Sequence, residues 1–174
     1  MNKKKFARES EVIMTEMVLP NDTNTLHNLM GGRMMHFIDI ASAIAAQKHS
    51  NRTVVTASMD SVSFEKPIKL GNVVTIRAKV TRAFNSSMEV YAEVSAEDIP
   101  SGTKQITNKA FCTFVAVDQS GNPIQVPELV PETAEEQRLF HGALRRRQLR
   151  LILAGRMKPD DATELKSLFV DNEE

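Results

Sequence analysis

The residues best suited to chemistry lie in the stretch Asp22-Thr23-Asn24-Thr25-Leu26-His27-Asn28-Leu29-Met30-Gly31-Gly32 and in Asp39 beyond it. Two adjacent glycines let a backbone come close to a ligand. At a helix start their N–H groups have no intrahelical acceptor and lie at the positive end of the helix dipole. Such donors can polarise a carbonyl. Asp39 falls about two turns into an otherwise apolar helical segment, where a carboxylate must be hydrogen-bonded, open to water at an interface, or shifted in pKa. Patterning leaves two readings open for Asp39: a base beside a reacting carbonyl, or a residue that caps a loop or faces solvent. Asn28 likewise reads as a polar site residue or as a turn residue before a helix. The glycine pair matches no dinucleotide or phosphate-loop spacing.

These residues need elements to position them. Residues 11–19 (EVIMTEMVL) are β-prone, and Pro20-Asn21-Asp22 stops the run. Residues 29–49 (LMGGRMMHFIDIASAIAAQKH) form a helical pattern with almost no polar stripe, so this helix is expected to be buried. From Arg52 the chain turns β again, as TVVTASMDSVSF (residues 53–64), VVTIRAKVTRAF, MEVYAEVSA and KQITNKAFCTFVAV, each bounded by turn residues. One strand, one buried helix and then several short-linked strands predict an α+β architecture, with a single curved antiparallel sheet wrapped around the helix. From about Val126 the composition changes to prolines and then a charged helical pattern. The expected division is therefore residues 1–125 for the main domain and 126–174 for a helical appendage. In the latter, Thr133 and Glu136 fit a capping box, and Arg145, Arg146, Arg147 and Arg150 suit the dipole of a helix end. A second short helix is expected to start at Asp160 or Asp161.

Bulk properties narrow the function. The 174 residues carry 22 Lys+Arg and 22 Asp+Glu, a formal net charge of +0. No whole-molecule field exists to hold nucleic acid or an anionic membrane, and any anion must be bound locally. Cys112 is the single cysteine, which rules out an intrachain disulfide and reads as a small buried strand residue of a reducing compartment. The basic start runs into Glu9 and Glu11 without an apolar core, and no apolar run is long enough to span a bilayer, so a cytoplasmic protein is expected. His27, His36, His49 and His141 have no metal-ligand spacing, and a Gly-x-Ser-x-Gly elbow is absent. The expectation is a site without metal and without a serine nucleophile.

Several motifs, in order, resemble one family. They are Pro20-Asn21-Asp22-Thr23-Asn24, Asn28-Leu29-Met30-Gly31-Gly32, Met35-His36-Phe37-Ile38-Asp39 and Val55-Thr56-Ala57-Ser58-Met59-Asp60, continuing through Lys66-Pro67-Ile68 and Val80-Thr81-Arg82 to Ser86-Ser87-Met88. Over about residues 10–118 the chain resembles the hotdog-fold acyl-CoA thioesterases, in particular the cytosolic acyl-CoA hydrolase subgroup. The resemblance implies hydrolysis of acyl-CoA with coenzyme A as part of the substrate and product and no separate cofactor. It implies that Asp39 activates water or attacks the thioester, that Asn28 joins it from across a dimer interface, and that Gly31 and Gly32 polarise the carbonyl. Thr56 and Ser58 are implied to line the acyl-pantetheine channel, with Thr56 a possible third polar member of the site. Arg82, Ser86 and Ser87 are implied to contact the nucleotide phosphates. The assembly it implies is a homo-oligomer, with a dimer as catalytic unit and a trimer of dimers above it. Other uses of the fold would leave other marks: an acyl-CoA sensor would carry a DNA-binding segment, and a hydratase would want a histidine such as His27 or His36 in the site.

Overall fold

In a computed structural model, which describes residues 3–170, the apolar segment forms helix α1 (Gly31–Ser50). It starts at Met30, whose carbonyl accepts the first helical hydrogen bond from Met34 N–H at 3.0 Å. It ends where Asn51 takes the left-handed conformation (φ 53°) and returns its N–H to the Gln47 carbonyl at 2.7 Å. Asparagine tolerates that conformation better than most side chains.

Five antiparallel strands pack against the helix: β2 (Val12–Met17), β3 (Thr53–Asp60), β4 (Val73–Ala83), β5 (Ser87–Asp98) and β6 (Thr103–Val117). Their order across the sheet is β2-β4-β5-β6-β3, so β2 and β3 are the edges. Alternation builds the core. Val74, Ile76, Ala78 and Val80 of β4, Met88, Val90, Ala92 and Val94 of β5, and Ala110, Cys112, Phe114 and Ala116 of β6 are all sealed from solvent. They meet Met34, Phe37, Ile38, Ala41, Ala45 and Ala46 of α1, which are equally buried. The alanines on the helix allow a close approach to the sheet. This is the hotdog arrangement expected from the order of elements.

Four details differ from the sequence reading. The helix is not covered on all sides, because Ile40 and Ile44, one turn apart, and Met35 on a different face are exposed in the single protomer. The expected strand over residues 53–64 ends at Asp60, where Ser61 turns into the left-handed region (φ 55°) and residues 61–72 cross to β4 without regular strand structure. Two short strands, β1 (Lys4–Phe6) and β7 (Glu128–Val130), pair in parallel as a second sheet. That pairing also moves the boundary: the chain divides into compact units 1–130 and 131–174, because β7 ties residues 126–130 to β1 rather than to the appendage. The second unit contains α2 (Ala134–Leu153) and α3 (Thr163–Val170). Helix α2 opens on the expected box, with Glu136 N–H donating to Thr133 Oγ1 at 3.2 Å and the Glu136 carboxylate accepting from Thr133 N–H at 3.2 Å.

Candidate active site

The bend before α1 is built around Asp22. Its buried carboxylate accepts from Leu19 N–H at 3.0 Å and from Arg33 Nε at 2.7 Å, while its carbonyl accepts from Met30 N–H at 2.9 Å. The Arg33 guanidinium in turn lies 4.8 Å from the centre of the Phe37 ring. Asn24 closes the turn itself, its Oδ1 accepting from Leu26 N–H at 2.9 Å and Asn28 N–H at 3.2 Å. His27 takes the left-handed conformation (φ 57°) at its tip. Hydrogen bonds from Leu29 N–H to the Ile68 carbonyl (2.7 Å) and from Leu70 N–H to the His27 carbonyl (2.9 Å) join the bend to the crossing that follows β3.

This bend delivers Gly31 and Gly32 as the first two residues of α1, where N–H groups have no intrahelical acceptor. The two glycines differ in their surroundings. A Cβ on Gly31 would stand 3.3 Å from Cζ of Phe64, whereas a Cβ on Gly32 would meet nothing within 4 Å. Packing therefore accounts for the first glycine but not for the second.

Asp39 lies on the same helix, half-buried, and its Oδ1 accepts a hydrogen bond from Thr56 Oγ1 at 2.9 Å. Thr56 belongs to the edge strand β3 and is exposed, so the pair lies at the open edge of the sheet. A carboxylate oriented by a hydroxyl, with its second oxygen still available, can accept a proton from water. Under this pair lies Cys112 on β6. Burial pushes its thiol up to about 11; the Ser42 hydroxyl opposes the shift, and the negative charges of Asp39, Asp60 and Glu89 add to it.

The remaining expected site residues fall into other groups. Asn28 lines a cavity of about 260 Å³ with Leu29, Met34, Phe64 and Ile68, and neither Asp39 nor Thr56 lines it. Ser58 is turned away from Thr56 by a bulge in β3. Thr56 pairs with Phe114 and Ser58 with Thr113, adjacent residues of β6 that point to opposite faces, so Ser58 leaves the helix side and donates to Asp60 Oδ2 at 2.9 Å. Arg82, Ser86 and Ser87 form a third group at the β4–β5 hairpin. The Arg82 guanidinium lies 5.7 Å from the centre of the Phe84 ring, and the hairpin is held by Phe84 N–H to the Ser87 carbonyl (2.8 Å) and Ala116 N–H to the Ser86 carbonyl (2.9 Å).

One residue of the cavity wall, Asn108, was not singled out from the sequence. The signal was present: in KQITNKAFCTF it occupies the inward register of Ala110, Cys112 and Phe114, a polar residue in an apolar row. Among the described residues no three His, Cys, Asp or Glu come together as a metal-binding group, and no helix is long and apolar enough to cross a membrane.

Comparison with known proteins places this geometry. A family model described as the thioesterase superfamily matches residues 26–103. The chain is 44% identical over 142 residues to the uncharacterized acyl-CoA thioester hydrolase YkhA of Bacillus subtilis (strain 168), covering 82% of this chain and 83% of that protein. Among solved structures, a hexameric acyl-CoA thioesterase superposes with a TM-score of 0.85 at 39% identity, over 87% of this chain and 97% of the other. An acyl-CoA hydrolase from Staphylococcus aureus, solved with butyryl coenzyme A, coenzyme A and coenzyme A disulfide, gives a TM-score of 0.81 at 38% identity, over 87% and 94%. Structures of that hydrolase also exist with an aspartate, an asparagine or a threonine replaced by alanine. With a relative this similar over most of both chains, and with the sheet and helix superposing as they do, the chain belongs to the thioesterase superfamily.

Proposed function

We propose that the protein hydrolyses acyl-CoA thioesters to a free carboxylic acid and coenzyme A, in a site completed by a second copy of the chain. The observation that carries this reading is the 2.9 Å hydrogen bond from Thr56 to Asp39, which orients a half-buried carboxylate on a helix that begins with two glycines. Asp39 acts either by taking a proton from water as the water oxygen adds to the thioester carbon, or by adding to that carbon itself. In both routes the carbonyl oxygen gains negative charge, and the N–H groups of Gly31 and Gly32 are the donors proposed to meet it. In the first route the C–S bond then breaks and the departing thiolate takes up the proton held by Asp39. In the second, C–S cleavage leaves a mixed anhydride on Asp39, which water cleaves to the free acid, restoring the carboxylate and supplying the proton that the thiolate takes up. Coenzyme A enters as part of the substrate and leaves as product, so no separate cofactor takes part. The same residue types, aspartate, asparagine and threonine, are those replaced in the variants of the Staphylococcus aureus hydrolase, which supports the roles given to Asp39, Asn28 and Thr56.

A second copy is needed for two reasons. The edge strand β3 has exposed Val55 and Thr56, and three apolar side chains of α1, Met35, Ile40 and Ile44, are exposed as well. An open edge and uncovered apolar side chains favour pairing with an identical chain. Asn28 also lies apart from Asp39 within one protomer, which fits its contribution to a partner's site. The hexamer formed by the similar thioesterase supports a trimer of such dimers. At the hairpin, Arg82 with Ser86 and Ser87 is the group proposed for the nucleotide phosphates, which a chain of zero net charge must meet locally. A buried, unpaired Cys112 suits the cytoplasm as the place of action.

The test is Asp39→Ala. Release of free coenzyme A from butyryl-CoA, followed by chromatography, should fall by roughly 10²–10⁴-fold, the usual contribution of a positioned base. The circular-dichroism spectrum should stay unchanged. Activity within threefold of the parent in a folded variant overturns the assignment.

A further inference from the structure

We infer that Phe64, beside Gly31, limits the length of acyl chain that the cavity beside Asn28 accepts, so that short and medium acyl-CoA thioesters are preferred over long ones. The inference rests on the hydrolase reading above and adds the substrate class. The cavity of about 260 Å³ has buried apolar walls in Met34 and Ile68, with Leu29 and Phe64 completing them. That volume lies below the usual range for ligand sites of roughly 300–1,000 Å³. It adjoins the helix start, because the Phe64 ring that lines it comes within 3.3 Å of where a Cβ on Gly31 would stand. An acyl chain whose carbonyl meets the amides of α1 would enter beside Asn28 and run toward this ring.

Phe64 is half exposed, yet its backbone is held on both sides. The Ser63 carbonyl accepts from Asn108 Nδ2, and Glu65 N–H donates to the Thr107 carbonyl at 3.4 Å. Both anchors come from β6, at the place where its pairing with β5 slips between Val94 and Ser95 and leaves Thr107 without a partner in the register. A few residues on, the Ile68 carbonyl accepts from Leu29 N–H, so the far end of the same segment is tied to the residue after Asn28. The backbone that carries the ring is therefore fixed. A longer chain meets the ring where it stands, whereas removing the ring enlarges the cavity at once.

The experiment measures kcat/KM for butyryl-, octanoyl-, dodecanoyl- and palmitoyl-CoA, each below its micelle concentration, in the parent and in Phe64→Ala. The parent should favour butyryl- or octanoyl-CoA over palmitoyl-CoA by at least tenfold. In Phe64→Ala the ratio of dodecanoyl- to butyryl-CoA should rise at least tenfold, and Phe64→Leu should move it the same way by less. The milder variant also decides the matter if the alanine variant fails to fold. A parent that hydrolyses palmitoyl-CoA as well as butyryl-CoA overturns the inference, and so does an unchanged ratio in a folded, active variant; either result leaves the hydrolase reading standing. Absence of hydrolysis at every chain length overturns both.

Discussion

At the scale of single residues, the proposed site depends on how firmly Asp39 is held. Thr56 supplies one charge-assisted hydrogen bond, and such bonds contribute about 1.5–3 kcal/mol. Thr56→Val, which keeps the shape and removes the hydroxyl, should therefore lower kcat by ten- to a hundredfold with little change in KM, and Thr56→Ser should restore most of it. A change in KM alone would mean that Thr56 binds substrate rather than orienting the carboxylate. Asp39 was legible in the sequence because a lone carboxylate in LMGGRMMHFIDIASAIAAQKH has few comfortable roles. Its partner on β3 was legible only through resemblance. Ser58 shows why: a bulge between Thr56 and Ser58 reverses which face each residue takes, and strand composition carries no mark of a bulge.

At the scale of elements, the start of α1 separates packing from the proposed function. Gly32 has open space where a side chain would be and helical backbone, so Gly32→Ala should keep or raise the melting temperature, since alanine is favoured over glycine in helices by up to about 1 kcal/mol. The same methyl would stand in the path of an approaching carbonyl, and kcat/KM should fall at least tenfold. Full activity in that variant would remove Gly32 from the site. The other end of the helix responds to acid. His49 is fully buried and its Nε2–H donates to the Pro127 carbonyl at 2.9 Å, because a carbonyl can only accept. Burial pushes its pKa below the ordinary 6.5, with the Pro127 hydrogen bond opposing, Lys5 adding to the fall and Glu9 resisting it. The unfolded chain thus binds a proton before the folded one does. The stability contributed by neutral His49 is complete above pH 6.5 and is lost as pH drops from there toward the lowered value. Melting temperature between pH 7.5 and 5 should fall more steeply in the parent than in His49→Gln, which keeps a donor but does not titrate; parallel curves would rule His49 out as the group responsible. The long elements were legible from period and turn residues. The crossing at 61–72 was not, since SVSF after Asp60 has strand composition and its departure is imposed by Asn108 and Thr107 from β6. The β1–β7 pair escaped notice because two runs of three residues, far apart in sequence, leave no periodicity to read.

At the scale of the molecule, an apolar helix told only that its faces would be covered, not by what. Met35, Ile40 and Ile44 look like core in the sequence and lie at the surface of the protomer. A charge introduced there should act on assembly before it acts on the fold. Ile44→Lys should shift the mass measured by light scattering toward the monomer and abolish hydrolysis, with the spectrum of secondary structure retained; an intact oligomer in the variant would place the interface elsewhere. The interior has a practical use as well. The chain has one cysteine, sealed on β6, with a thiol that stays protonated well above neutral pH. Thiolate, not thiol, attacks disulfide reagents. A chromogenic disulfide added to a working reaction would therefore develop colour from the liberated pantetheine sulfur alone, and the folded protein would contribute no background of its own. Unfolding would expose that sulfur, so a slow drift in a blank would report loss of the native state in the same cuvette.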